Sequence, residues 1–131
     1  MKKLLICLTV TLSLLSCKKS NSNNNVTGQE VAGTYTSTSG TQTIVSTGTN
    51  GMISLKYIPC CTNPYYLFDS VKLAADLTFT VNQFIQEPQN LSGSIRKPYN
   101  YVGTGYFRTN TIHYDFKSVS GVNRILFDGV R

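Results

Sequence analysis

Residues 101–131 read YVGTGYFRTNTIHYDFKSVSGVNRILFDGVR. Within this stretch Ile112, Tyr114 and Phe116 alternate with Thr111, His113, Asp115 and Lys117. A period of two puts the apolar side chains on one face of a strand and the polar ones on the other. Thr109-Asn110 before the run and Ser120-Gly121 after it suit tight hairpin turns. The stretch therefore predicts three antiparallel strands, Tyr101–Arg108, Thr111–Ser118 and Arg124–Val130. The same reading carried back along the chain predicts Val31–Ser37, Gln42–Thr47, Met52–Ile58, Leu67–Ala74, Leu77–Gln83 and Leu91–Lys97. A helix competes over Leu67–Leu77, where Leu67, Val71 and Ala74 share a helical face. The alternation of Val71-Lys72-Leu73 and of Leu77 to Val81, with Ala75-Asp76 as a turn, favours strands. Eight or nine short strands must cover their edges, and closing the sheet removes them. The expected fold is all-β: one antiparallel meander barrel or strongly curved half-barrel.

The other end of the chain has a different character. Lys2 and Lys3 precede an apolar run from Leu4 to Leu15, which is the layout of a secretory signal peptide. The run is too short to cross a bilayer, which takes about twenty apolar residues. Leu14-Leu15-Ser16-Cys17 resembles the lipobox of bacterial lipoproteins, and that resemblance implies cleavage before Cys17, a diacylglyceryl thioether on its sulfur and acylation of the new amine. Several acyl chains hold a protein durably where one holds it marginally. Residues 18–30, KKSNSNNNVTGQE, are polar and nearly free of apolar side chains, so they read as a flexible tether. The expected organisation is a signal peptide over 1–16, a lipidated cysteine and tether over 17–30, and a barrel domain over 31–131. Surface-bound lipoproteins of this type often carry acids soon after the cysteine. Lys18-Lys19-Ser20 stands here instead and favours the periplasmic face of an outer membrane.

Charge excludes one class of partner. The formal charge of +6 loses two with Lys2 and Lys3, and Lys18 and Lys19 of the remaining four lie beside the lipid. Elsewhere Lys and Arg are scattered singly apart from Arg96-Lys97, unlike the clustered basic face of a nucleic-acid binder. Partners are expected to be the membrane, through the acyl chains on Cys17, and a small ligand or envelope protein.

Gly33-Thr34-Tyr35 opening the first strand, a run of hairpins, and an Arg ending a final FDGVR strand resemble the small lipocalin-like lipoproteins of Gram-negative bacteria. In such calycin-type barrels a Gly-x-aromatic motif begins the first strand and a basic residue of the last packs across it. The resemblance implies that role for Gly33, Tyr35 and Arg131. It departs from true lipocalins in having Tyr rather than Trp, a shorter chain and no helix after the barrel.

Catalytic chemistry is thinly supplied. His113 is the one histidine, and it shares a strand face with Asp115, so the two are placed to hydrogen bond, with no nucleophile near them in sequence. One histidine and two adjacent cysteines are a poor zinc set. No enzyme activity, cofactor or metal is expected. Cys60-Cys61, bracketed by Pro59 and Pro64, can close a strained vicinal disulfide that stiffens a turn, or remain two thiols. Tyr65, Tyr66, Tyr99 and Tyr101 fall in or near loops, where a barrel builds its mouth. They are the candidate binding residues, since Tyr combines area with a polar tip. Asp69-Ser70-Val71 resembles a short O-glycosylation acceptor of exported bacterial proteins. The functional expectation is a membrane-anchored envelope lipoprotein that binds a small apolar or glycan ligand or a protein. The alternative is a structural accessory subunit with a filled barrel.

Overall fold

The computed structural model describes residues 26–60, 65–86 and 98–131. A 3-10 turn at Gln29–Val31 precedes eight strands: β1 Gly33–Thr36, β2 Gln42–Thr47, β3 Met52–Ile58, β4 Tyr66–Lys72, β5 Thr78–Gln86, β6 Pro98–Arg108, β7 Thr111–Ser118 and β8 Arg124–Val130. They form one antiparallel sheet in the order β4-β3-β2-β1-β8-β7-β6-β5. The sheet curls into a nearly closed meander barrel, the all-β architecture expected from the alternation.

Several strand ends differ from the sequence expectation. Val31 lies in the 3-10 turn, so β1 starts at Gly33. Leu73 makes only an isolated bridge to Phe79, and Leu77 sits in a turn with φ 62°, so β4 stops at Lys72 and β5 starts at Thr78. The strand expected at Leu91–Lys97 lies outside the described residues. Of the stretch expected as a tether, residues 17–25 lie outside the described residues, and Gln29 and Glu30 belong to the 3-10 turn. Val26 already packs against the core, and Tyr35 donates its hydroxyl to Val31 O at 2.9 Å.

Alternation decides which side chains face inward. β7 buries Ile112, Tyr114, Phe116 and Ser118, and β8 buries Ile125 and Phe127. Their neighbours contribute Tyr35, Val45, Ile53, Leu55, Phe68, Val71, Phe79, Val81, Tyr101 and Phe107. Rings fill the interior: Tyr114 stacks on Phe116 at 4.5 Å, Phe68 meets Phe116 at 4.7 Å, and Phe79 meets Phe107 at 5.4 Å between centroids. Each such pair adds about 0.5–1.5 kcal/mol beyond the area it buries. Large rings need small neighbours, which β6 supplies at its inward Gly103 and Gly105. A Cβ on Gly103 would lie 2.9 Å from Phe116 Cα, and one on Gly105 would lie 2.7 Å from His113 O and strike the Phe79 ring. Glycine is fixed at both positions by space.

Strands β1 and β8 are joined through Thr36 and Val130 alone, and the sheet is left open at a seam between β4 and β5, which share no ladder. The Leu73–Phe79 bridge ties one end, and Gln83 Nε2 donates to Asp69 O midway along. The register of β4 also slips here. Ser70 has φ 52°, and the pairing with β3 shifts between Ile53 and Leu55.

Candidate functional site

The meander gives the barrel two unlike ends. At the tether end lie Val26, the 3-10 turn, the β2–β3, β4–β5 and β6–β7 turns, and Arg131. At the far end lie the β1–β2 turn, the β7–β8 turn, Cys60, Tyr65 and the points where the β3–β4 and β5–β6 connections leave the sheet.

Three of the four candidate tyrosines stand at the far end. Tyr65 is half exposed, with Lys56 Nζ 4.2 Å from its ring centre, a cation–π contact. Tyr66 is partly buried, tilted against Tyr57 at 5.9 Å and edge-on to Tyr101 at 6.2 Å, while Tyr99 packs against the core. Tyr101 is a correction: it is fully buried, inside the barrel between Tyr66 and Phe68. The sequence places it at the first position of a strand, beside a loop after Pro98, but β6 already begins at Pro98, and strand parity puts Tyr101 on the same inward face as Gly103 and Phe107.

More prominent at this end are residues that the sequence reading did not single out. Phe84 is 77% exposed, Val122 74% and Val119 66%. Phe84 pairs with Asn100 across β5–β6, and Val119 N donates to Asn100 O at 2.8 Å, so the three lie in one row across the sheet. Asn100 Oδ1 is buried in that row without a hydrogen-bond partner among the described residues. The signal was in the sequence. It reaches Phe84 alone: the strand parity of Phe84 is opposite to that of Phe79, Val81 and Ile85, so Phe84 points out where they point in.

The remaining candidates are dispersed. Cys60 is exposed, and its N–H reaches Thr41 Oγ1 at 3.3 Å; Cys61 lies outside the described residues. Ser70 is exposed at the β4 bulge. Cys17 lies outside the described residues. At the tether end Arg131 Nη1 donates to Glu30 O at 3.2 Å and Ala32 O at 2.9 Å. Its guanidinium carbon stands 5.7 Å from the Tyr35 ring centre. Gly33, at φ 149°, leaves room for its side chain, since a Cβ there would lie 2.7 Å from Arg131 Cδ. Gly33, Tyr35 and Arg131 are thus together.

The His113–Asp115 pair does not form. His113 bonds Asp128 across β7–β8 and stacks on Tyr106 at 5.2 Å. Asp115 takes a bidentate pair from Arg124, at 2.8 and 2.7 Å, which holds its carboxyl below the usual range. Asp128 lies directly opposite His113, and Arg124, opposite Lys117, reaches Asp115 diagonally across the same pair of strands. Among the described residues no three His, Cys, Asp or Glu side chains gather as a metal would need, and no helix is long and apolar enough to cross a membrane. No family model matches the chain, and comparison with curated proteins and with solved structures gives no match.

Proposed function

We propose that the chain is a lipid-anchored envelope protein whose barrel holds its far rim out to a protein partner. The anchor rests on the signal-like start and the lipobox-like Leu14 to Cys17. The resemblance to small lipocalin-like lipoproteins belongs to the same reading, and the packing of Arg131 across Tyr35 beside Gly33 supports it. One observation carries the choice of partner. The barrel is filled by its own rings, while Phe84, Val119 and Val122 stand exposed at the end opposite Val26. A filled interior favours a protein over a small apolar ligand held inside. Exposed apolar groups flanked by tyrosines suit a docked protein surface. The proposed role is binding, with no catalytic step.

Two measurements test it. Mass spectrometry of the membrane-extracted protein is expected to show the mature chain starting at an acylated Cys17. A photo-cross-linking residue placed at Phe84 or Val122 in living cells is expected to give one discrete adduct, lost with Val119→Asp, while the same residue at Thr47 gives none. Equal adducts from both ends, or none from the rim, sink the partner assignment.

A further inference from the structure

The tether end carries an open depression of about 460 Å³. That size falls within the range of small-molecule sites. Three segments line it: the incoming chain at Val26 and Thr27, the β2–β3 turn at Asn50 and Gly51, and Lys72, Leu73 and Ala75 at and just past the end of β4. They are tied together. Asn50 and Gly51 have φ of 57° and 72°, and Met52 N donates to Thr49 O at 3.1 Å, the geometry of a type I′ turn. The incoming chain lies so close that a Cβ on Gly51 would be 2.7 Å from Val26 O. Leu73 N donates to Gly51 O at 3.2 Å.

Lys72 lines this depression, and Glu30 stands one hydrogen bond behind its lining at Thr27. Lys72 makes no ion pair among the described residues, whereas Lys117 and Arg124 both pair with Asp115. Thr27, on the incoming side, donates its hydroxyl to the Glu30 carboxylate at 3.1 Å. Across the whole tether end the cations Lys72, Arg108 and Arg131 are matched by the acids Glu30, Asp76 and Asp128. A purely anionic ligand gains little from such a balance, and a ligand carrying both charges gains from each side.

We propose that this depression holds the headgroup of a zwitterionic phospholipid, its phosphate toward Lys72 and its ammonium toward Glu30. The choice of a lipid headgroup rests on the lipid-anchored reading above. Val26 is nine residues from Cys17, and nine residues reach at most about 32 Å, so an acylated Cys17 would keep this end close to the headgroup layer. Docking there would set the orientation of the barrel and aim Phe84 and Val122 away from the bilayer.

The test uses the mature full-length protein in detergent, titrated with glycerophosphoethanolamine and followed by amide NMR. Saturable shifts are expected at Thr27, Gly51 and Ala75. Lys72→Glu is expected to weaken binding at least tenfold, and Lys117→Glu to leave it unchanged. Vesicles rich in phosphatidylethanolamine should compete for the site, and phosphatidylglycerol vesicles should not. No saturable shift, equal binding by the Lys72 variant, or equal shifts with inorganic phosphate alone would overturn the proposal. Competition by soluble headgroup but not by vesicles would overturn its lipid source. Acyl mass on Cys17 is read separately. An acylated chain without shifts refutes the headgroup site alone, and an unacylated chain with shifts refutes the anchor alone.

Discussion

At the scale of single residues, one buried polar contact ties distant parts of the chain together. The Tyr114 and Thr43 hydroxyls meet at 2.6 Å, both fully buried and 71 residues apart in sequence. Removing one partner strands the other in an apolar interior, at a cost of about 1–2 kcal/mol. Tyr114→Phe and Thr43→Val are each expected to lose that much in urea denaturation. The double variant should lose less than the sum, because no hydroxyl is then left alone. The same tyrosine predicts a pH response. Burial pushes the Tyr114 phenol far above its ordinary value, and burial raises Tyr35 and Tyr57 as well. Above pH about 10 the unfolded chain releases these protons and the folded one keeps them, so stability is full below that pH and falls above it. Tyr114→Phe should flatten the alkaline limb of a stability–pH curve. Residue roles were only partly legible in the sequence. Tyr101 was misplaced because its position depends on where β6 begins, and Pro98 as a strand's first residue breaks no ladder.

Among elements, the strands with strict alternation were the legible ones. Gln42–Thr47, Met52–Ile58, Thr111–Ser118 and Arg124–Val130 stand at their expected bounds. The strands beside the seam do not. Ser70 and Leu77 take left-handed backbone that side-chain pattern does not reveal, and both shift strand bounds or register. The row Phe84, Asn100, Val119 was illegible for a different reason, since it joins three elements that only the register brings side by side. At the seam itself Gln83 substitutes a side-chain amide for a missing ladder bond. Gln83→Ala is therefore expected to speed hydrogen exchange along β4 by about tenfold while the β6–β7 amides hold their protection. Uniform loss of protection would show that the seam opens only with the whole barrel.

For the whole molecule, Arg131 joins the last residue of the chain to its folded start through Glu30 O and Ala32 O. Arg131→Met should lower stability by about 1–2 kcal/mol and deprotect the Val31 and Ala32 amides first. The strand order has a further consequence. Strands β1 to β4 and β5 to β8 each pair in sequence, and β1–β8, through Thr36 and Val130, is the pairing that spans the domain. The chain start near Glu30 and Arg131 already touch. A circular permutant, linked from Arg131 to Val26 and opened in the β4–β5 turn, would run β5 to β8 and then β1 to β4. Every strand pair that shares a ladder would then be a sequence neighbour. The long loop closure behind β1–β8 would become a short one, while the Leu73–Phe79 bridge and the Gln83–Asp69 bond across the β4–β5 seam would become the long-range closure. Such a permutant should form the same sheet and refold no faster than the natural order, because the β4–β5 contacts it makes distant are more extensive than the single β1–β8 pairing it makes local.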